Sequence, residues 1–220
     1  MYASSCINHE IPFLQPEDKG LTALTLLEEL KISELPLVDN DHYIGLITEF
    51  DLLDYECIEG ELSKIQSKLI HPFILEDDHL FDVIGKMASE DISILPVITP
   101  DEKYVGAIDQ SSVLRMIARG EGYKSSGGVI QLEFGIHDYS VTEISRLVES
   151  NDLKILNLYV TSSPDSNKIL VTIKLNKSEL SALIQTFNRF GYTITASFHK
   201  DVDEEDLRKR YEGFLRYMNP

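Results

Sequence analysis

The sequence predicts an α+β protein in which one structural unit occurs twice, followed by a different ferredoxin-like βαββαβ unit and a C-terminal helix. Three observations predict this fold class. A repeat recurs with a period of about sixty residues, a glycine- and serine-rich segment follows the second copy, and the apolar periodicity changes beyond that segment. The predicted order is therefore a duplicated unit, a linker and a second domain.

The repeat relates residues 12–36 to residues 72–96, which match at an offset of 60. The identical pairs are Pro12/Pro72, Phe13/Phe73, Asp18/Asp78, Ile32/Ile92, Ser33/Ser93, Leu35/Leu95 and Pro36/Pro96. After Pro96 the second copy gains one residue, and the match resumes at an offset of 61 from Tyr43/Tyr104 to Leu53/Leu114. One insertion in a turn leaves the flanking strands in register, so the duplication indicates two like-shaped repeats.

Each repeat is predicted to contain an extended Pro-Phe segment, a helix, two strands and a second helix, because proline is excluded from a helix interior. Apolar residues at helical spacing mark the first helices. They are Leu21, Leu24, Leu27 and Leu30, beside Ala23 and Leu26, in the first copy, and Leu80, Val83, Ile84 and Met87 in the second. Strands follow at 35–38 and 95–98, return strands at 43–47 and 104–108, and second helices at 50–58 and 111–118.

Glycine stands at the same place in both return strands, at Gly45 and Gly106. Glycine inside a strand indicates close approach by another backbone or by a ligand. Packing between the repeats is the favoured explanation of the two.

Beyond the linker, alternation and helical spacing predict a strand–helix–strand–strand–helix–strand order, which is that of a split ferredoxin-like unit. The predicted elements are strands at 130–134, 153–161, 168–175 and 192–198 and helices at 141–148 and 180–190. Gly191 is placed to end the second helix in a left-handed conformation. An acidic start at 203–206 and an apolar stripe predict the last helix.

The negative charge of the chain is concentrated in the duplicated half. Residues 1–120 hold 23 acidic and 8 basic side chains, net −15, whereas residues 121–220 hold 14 and 12, net −2. Such a surface repels phosphate backbones and anionic lipids, so neither nucleic acid nor membrane is expected as a partner.

The N-terminus lacks a signal-peptide pattern and no segment is apolar enough to span a bilayer, which predicts a cytoplasmic protein. Two cysteines without CxxC spacing and six histidines without i,i+4 pairs predict no metal site.

The duplicated pattern Ile-Ser-x-Leu-Pro, followed by a turn and Gly-hydrophobic-Ile, resembles a tandem pair of CBS domains, also called a Bateman module. The implied domains are CBS repeat 1 at 1–60, CBS repeat 2 at 61–119, a linker at 120–128, an ACT-like domain at 129–199 and a C-terminal helix at 200–220. The whole order is similar to the acetoin utilization protein B family. The resemblance implies a regulatory protein rather than an enzyme, with no resident cofactor.

Members of the CBS family bind adenosine-containing ligands between the repeats, so the resemblance implies AMP, ATP, adenosine or S-adenosylmethionine as a regulatory ligand. In the family motif Gly-h-h-Thr-x-x-Asp, the hydroxyl approaches phosphate and the carboxylate receives the ribose hydroxyls. The first copy matches with Gly45, Thr48 and Asp51. The implied ligand-binding residues are Thr48, Asp51, Ile32, Ser33, Leu35 and Pro36, and those of a weaker second site are Asp109, Ser112, Ile92 and Ser93.

The motif residues have a structural interpretation as well. Thr48 and Asp51 fit a helix capping box, which leaves capping alone and capping with ligand contact both open. In the second copy Asp109 stands where phosphate would lie and Ser112 replaces the ribose acceptor, so capping alone is favoured there.

Two functions are consistent with this pattern. The first is a homodimeric ligand sensor in which the CBS pair alters the arrangement of domains or partners. The alternative is a dimeric protein-interaction module with degenerate ligand sites, which binds a protein partner through its acidic face or the C-terminal stripe. In the ACT-like domain, Asp138 in the 135–140 turn disfavours an anionic effector, so dimerisation is the expected role of that domain.

Overall fold

The computed structural model describes residues 1–55, 57–163 and 167–198. The chain divides into two compact units, Met1–Ile117 and Ala118–Pro220. Seven helices in the described residues are α1 Gly20–Leu30, α2 Glu49–Asp54, α3 Leu80–Glu90, α4 Gln110–Ile117, α5 Glu121–Lys124, α6 Val141–Glu149 and α7 Ser181–Arg189. The described strands are β1 Glu34–Asp39, β2 His42–Thr48, β3 Ile74–Leu75, β4 Ile94–Ile98, β5 Tyr104–Asp109, β6 Val129–Gly135, β7 Ile155–Ser162, β8 Lys168–Leu175 and β9 Thr193–Phe198.

The two repeats of the first unit follow the same chain path. In each, an antiparallel strand pair, β1 with β2 and β4 with β5, is preceded by one helix and followed by another. The predicted extended segments pair in parallel with the first strand of each pair, through an isolated bridge from Leu14 to Leu37 in repeat 1 and through β3 in repeat 2. The duplication read from the sequence is therefore confirmed as a duplication of architecture.

The apolar residues of α1 do not all face the core. Ala23 and Leu27 are buried, whereas Leu21 and Leu30 are 50% and 44% exposed. A straight helix turns by 100° per residue, so two residues nine positions apart lie on opposite sides. In α3 the buried residues Leu80, Val83 and Met87 do share one face, as predicted.

The repeats meet through strands β1 and β4 and through residues near the return strands. A Cβ at Gly45 would lie 2.8 Å from the carbonyl oxygen of Ile70, and one at Gly106 would lie 2.6 Å from a methyl carbon of Ile7. Packing, the favoured explanation of both glycines, thus accounts for them. The equivalent hydroxyls of Tyr43 and Tyr104 are buried without a hydrogen-bond partner among the described residues. Burial raises the pKa of both, and the neighbouring Tyr104 raises that of Tyr43 further.

The second unit has a four-stranded antiparallel sheet in the order β7-β8-β6-β9, covered on one face by α6 and α7. The chain order and strand order are those of a ferredoxin-like βαββαβ fold, as predicted. Alternate residues of β6, namely Ile130, Leu132 and Phe134, are buried in its core. Gly191 has a φ of +78°, which confirms the left-handed residue expected after α7.

Two local expectations differ from the structure, and a third concerns residues that the structure does not describe. Helix α2 ends at Asp54, so Cys57, expected on that helix, lies beyond it, where its thiol donates to the carbonyl oxygen of Glu61 at 3.2 Å. The glycine-rich linker contains the short helix α5, which packs on β7 through Gly122 and Asn157. The predicted C-terminal helix and its apolar stripe lie outside the described residues.

Candidate functional site

A cavity of about 610 Å³ lies in repeat 1, between the C-terminal part of α1, the start of β1 and the start of α2. Its lining residues are Leu27, Glu28, Ile32, Ser33, Glu34, Thr48, Glu49, Phe50 and Leu53. We call this cavity the first cleft. Its lining combines apolar side chains, two hydroxyls and three carboxyl groups, and none of the lysines or arginines in the described residues belongs to it.

The start of α2 is organised by a reciprocal pair of side chains. The backbone N–H of Asp51 donates to Thr48 Oγ1 at 3.1 Å, and the backbone N–H of Thr48 donates to Asp51 Oδ2 at 2.9 Å. The Thr48 hydroxyl also donates to Asp51 Oδ2 at 2.6 Å. The predicted capping box is therefore present, and the hydroxyl proton is directed at Asp51 rather than into the cleft.

Glu34 ties the first cleft to the second repeat. Its side chain is 6% exposed, and its carboxylate accepts hydrogen bonds from the backbone N–H of Ser93, at 3.3 Å to Oε2, and from the Ser93 hydroxyl. Both donors are uncharged, and none of the ion pairs in the described residues involves Glu34. A buried carboxyl group is thus held in the cleft wall by neutral donors of the other repeat.

Repeat 2 has a smaller cavity of about 240 Å³ at the equivalent place, which we call the second cleft. It is lined by Ile84, Met87, Ala88, Asp91, Ile92, Gln110 and Val113. Asp109 stands beside it at the end of β5 and caps α4, accepting from the backbone N–H of Ser112 at 2.6 Å. The cap expected for this pair is confirmed.

Asp109 is also engaged by three other residues. Its Oδ2 accepts from Asn8 Nδ2 at 3.1 Å and from the Ser111 hydroxyl at 3.0 Å, and Arg115 lies 3.8 Å from Oδ1. Burial alone would raise the pKa of Asp109, but the hydrogen bonds from Ser112, Asn8 and Ser111 lower it below its usual value. The carboxylate that replaces the motif threonine is thus satisfied by the protein itself.

The structure brings together some of the residues expected in the first site. Ile32, Ser33 and Thr48 line the first cleft, whereas Asp51 faces the cap and Leu35 and Pro36 are buried in β1. At the second site Ile92 lines the cleft, but Ser93 is directed to Glu34.

Glu34 and Phe50 also line the first cleft, although the sequence did not predict them as site residues. Both residues lie inside the motif segments, and the acidic residue at 34 replaces the isoleucine found at 94 in the second copy. That difference between the two copies is the sequence feature that could have identified Glu34 as a site residue.

The second unit contains a separate cavity of about 510 Å³ at the turn after β6. Its lining is Glu133, Phe134, Gly135, Asp138, Glu143, Arg146, Phe190, Gly191 and Tyr192. Asp138 folds back over the turn, since a Cβ at Gly135 would lie 2.4 Å from its Oδ2. The Asp138 carboxylate thus lies against the backbone at Gly135.

Two features are absent from the described residues. No three histidine, cysteine, aspartate or glutamate side chains are grouped as a metal site there. None of the helices described is both long enough and apolar enough to cross a membrane.

The geometry defines a class of protein: two equivalent αβ repeats with a cleft at the helix start of each. The CBS domain family model matches residues 3–57 and 67–119. The N-terminal half of this chain is therefore a tandem pair of CBS domains.

Individual proteins are similar to parts of the chain. A homoserine O-acetyltransferase from Methanohalobium evestigatum is 31% identical over 97 residues, which are 43% of this chain and 20% of that protein. The matched segments span between 20% and 47% of the curated relatives. A CBS domain pair/ACT domain protein from Thermotoga maritima is 18% identical with a TM-score of 0.49, covering 55% of this chain and 99% of the other. A proposed acetoin utilization protein from Vibrio cholerae is 21% identical with a TM-score of 0.46, covering 54% of this chain and 91% of the other.

Proposed function

We propose that this protein is a regulatory sensor whose first cleft binds an adenosine-containing small molecule and thereby changes the contact between the CBS repeats. The observation that carries the proposal is the position of Glu34, which lines the first cleft and is bonded to Ser93 of the other repeat. A ligand in this cleft would therefore act on an inter-repeat contact directly. Regulation requires that the ligand bind one arrangement of the repeats better than another.

The shape of the first cleft supports a nucleoside. Its volume of about 610 Å³ lies within the range of small-molecule sites, and its lining is largely apolar with a few polar groups. The exposed ring of Phe50 and the side chains of Ile32 and Leu53 offer apolar surface to a base. Asp51 lies next to the cleft, where its Oδ1 could accept from ribose hydroxyls as the family motif implies.

Thermal unfolding of the purified full chain tests this function. A ligand at 100 times its dissociation constant stabilises the folded state by about 2.7 kcal/mol, so adenosine, S-adenosylmethionine, AMP or ATP should raise the melting temperature. The increase should disappear in Asp51→Ala and persist in Asp109→Ala, which removes the side chain that caps α4 beside the second cleft. Absence of any increase, and of any nucleoside in mass spectra of the heat-denatured protein, would reject the function.

The proposal includes a homodimer. Large apolar side chains are exposed at equivalent places on the helices of both repeats, Leu21 and Phe81 on the first helices and Leu53 and Leu114 on the second. A second copy could cover both sets. Light scattering of Leu21→Glu combined with Phe81→Glu, two exposed positions that line neither cleft, should then give half the mass of the parent protein, whereas an unchanged mass would exclude this surface.

We also propose that the second unit is an ACT-like regulatory domain, that the chain is related to the acetoin utilization protein B family, and that it acts in the cytoplasm. The ferredoxin-like topology of the second unit supports the first of these.

The alternative function is an interaction module with degenerate sites. Asp109 already accepts hydrogen bonds from Asn8 and Ser111, which favours a degenerate ligand site at the second cleft. Recovery of a protein partner together with a nucleoside-free preparation would support it for the whole molecule.

A further inference from the structure

The carboxyl groups of the first cleft bear on which adenosine compounds it can accept. Glu28, Glu34 and Glu49 all contribute to its lining, and within the part of the chain that the structure describes no basic side chain does. Glu34 is the most constrained of the three, because it is buried and hydrogen-bonded to Ser93. A 5′-phosphate placed in this cavity would meet carboxylates at short range in partly desolvated surroundings, where charge repulsion is stronger than in water.

The hydroxyl that the family motif assigns to phosphate is already committed. Thr48 donates its proton to Asp51 Oδ2 at 2.6 Å and accepts the Asp51 backbone N–H at 3.1 Å. A phosphate is an acceptor and needs a donor at this position. To receive one, the ligand would have to displace Asp51 from the capping box.

The net charge of the first unit also disfavours a phosphorylated ligand. With a net charge of −15 over residues 1–120, the field around the cleft disfavours the approach of an anion and favours that of a cation. In contrast, a nucleoside with a neutral hydroxyl on its 5′ carbon meets no such repulsion, and one with a positively charged sulfonium group there is attracted by the same glutamates.

We infer that the first cleft selects nucleosides whose 5′ substituent is neutral or positively charged, adenosine or a sulfonium nucleoside such as S-adenosylmethionine, over 5′-phosphorylated nucleotides. The inference rests on the proposed function and states the charge class of its ligand. The selecting groups are Glu34 and Glu49, with Glu28 at the rim, and the apolar lining serves all these ligands alike.

Isothermal titration of the full chain with adenosine, S-adenosylmethionine, AMP and ATP tests the selection, with and without Mg²⁺. We expect the two phosphate-free ligands to bind at least tenfold more tightly than AMP and ATP. Glu49→Gln, a change at an exposed position, should narrow the difference in affinity between adenosine and AMP about threefold or more. S-adenosylmethionine binding should weaken in this variant.

Glu17→Gln provides the matched control, since it removes the same charge from an exposed residue that lines none of the described cavities. It should leave the order of affinities unchanged. AMP or ATP binding as tight as that of adenosine, in either the presence or the absence of Mg²⁺, overturns the charge selection but leaves the sensor function intact. Failure of all four compounds to bind overturns both.

Discussion

The two CBS repeats have one architecture, but the starts of their second helices use their polar groups differently. In repeat 1, Thr48 and Asp51 satisfy each other and leave beside them a cleft of about 610 Å³. In repeat 2, Asp109 collects donors from Asn8, Ser111 and Ser112, and the cleft beside it is about 240 Å³. The comparison teaches that a fold can be duplicated faithfully while a few side chains at one position decide whether room for a ligand is kept.

The largest expected effect concerns Gly20, whose equivalent in repeat 2 is the buried Leu80. A Cβ at Gly20 would lie 2.2 Å from the backbone oxygen of Cys57, which cannot move aside as a flexible side chain could. Gly20→Ala should therefore lower the free energy of unfolding by about 3 kcal/mol, measured by urea denaturation. Gly85→Ala is the control, because nothing lies within 4 Å of its added Cβ in α3, and it should stabilise by about 0.5–1 kcal/mol. A Gly20→Ala protein as stable as the parent would show that the repeats differ less than the structure indicates.

The next effect tests the contact between the repeats. Ser93→Ala removes a hydroxyl that donates to the buried Glu34 carboxylate and should cost about 2 kcal/mol in urea denaturation, since hydrogen bonds to charged groups are among the stronger ones. Ser33→Ala changes the equivalent serine of repeat 1, which is exposed, and should change stability by less than about 0.5 kcal/mol. Equal losses of stability in Ser93→Ala and Ser33→Ala would contradict the conclusion that only the serine of repeat 2 binds a buried carboxylate.

A smaller effect is expected at the helix start of repeat 1. Thr48→Ala removes the capping oxygen from α2 and should reduce stability by about 1 kcal/mol, whereas Thr48→Ser keeps that oxygen and should restore most of the loss. Thermal unfolding without ligand measures both variants. If Thr48→Ala were neutral, the capping interpretation would be wrong, and the residue would have to be explained by ligand contact alone.

The smallest expected effect is a pH dependence of stability that comes from Asp109 in repeat 2. Hydrogen bonds hold the pKa of Asp109 in the folded protein below its ordinary value of about 3.8. The resulting stabilisation is complete above the unfolded-state pKa and is lost as the pH falls through the folded-state pKa. The difference in unfolding free energy between the parent protein and Asp109→Asn should thus be larger at pH 7 than near pH 3. A difference that is independent of pH would show that the charge of Asp109 contributes nothing.

Much of the architecture could be read from local sequence, because it depends on short-range rules. The duplication set the order of elements in the first unit, and alternating and helical periods identified the ferredoxin-like unit. The capping residues of α2 and α4 were predictable as well, since a cap is formed by residues only three positions apart. Periodicity identified α1 as a helix but did not show which of its apolar residues are buried, and Leu21 and Leu30 are exposed.

The properties of the clefts were decided by tertiary structure. The bond from Ser93 to Glu34 joins residues 59 positions apart, and that from Asn8 to Asp109 joins residues 101 apart. Neither pairing follows from spacing or propensity, because each depends on how the two repeats and the N-terminal segment pack. The sequence by itself determined that there are two repeats with a motif in each. Folding decided which motif borders the larger, acidic cavity and which has a carboxylate hydrogen-bonded by the N-terminal segment, because burial and long-range hydrogen bonds exist only once distant segments meet.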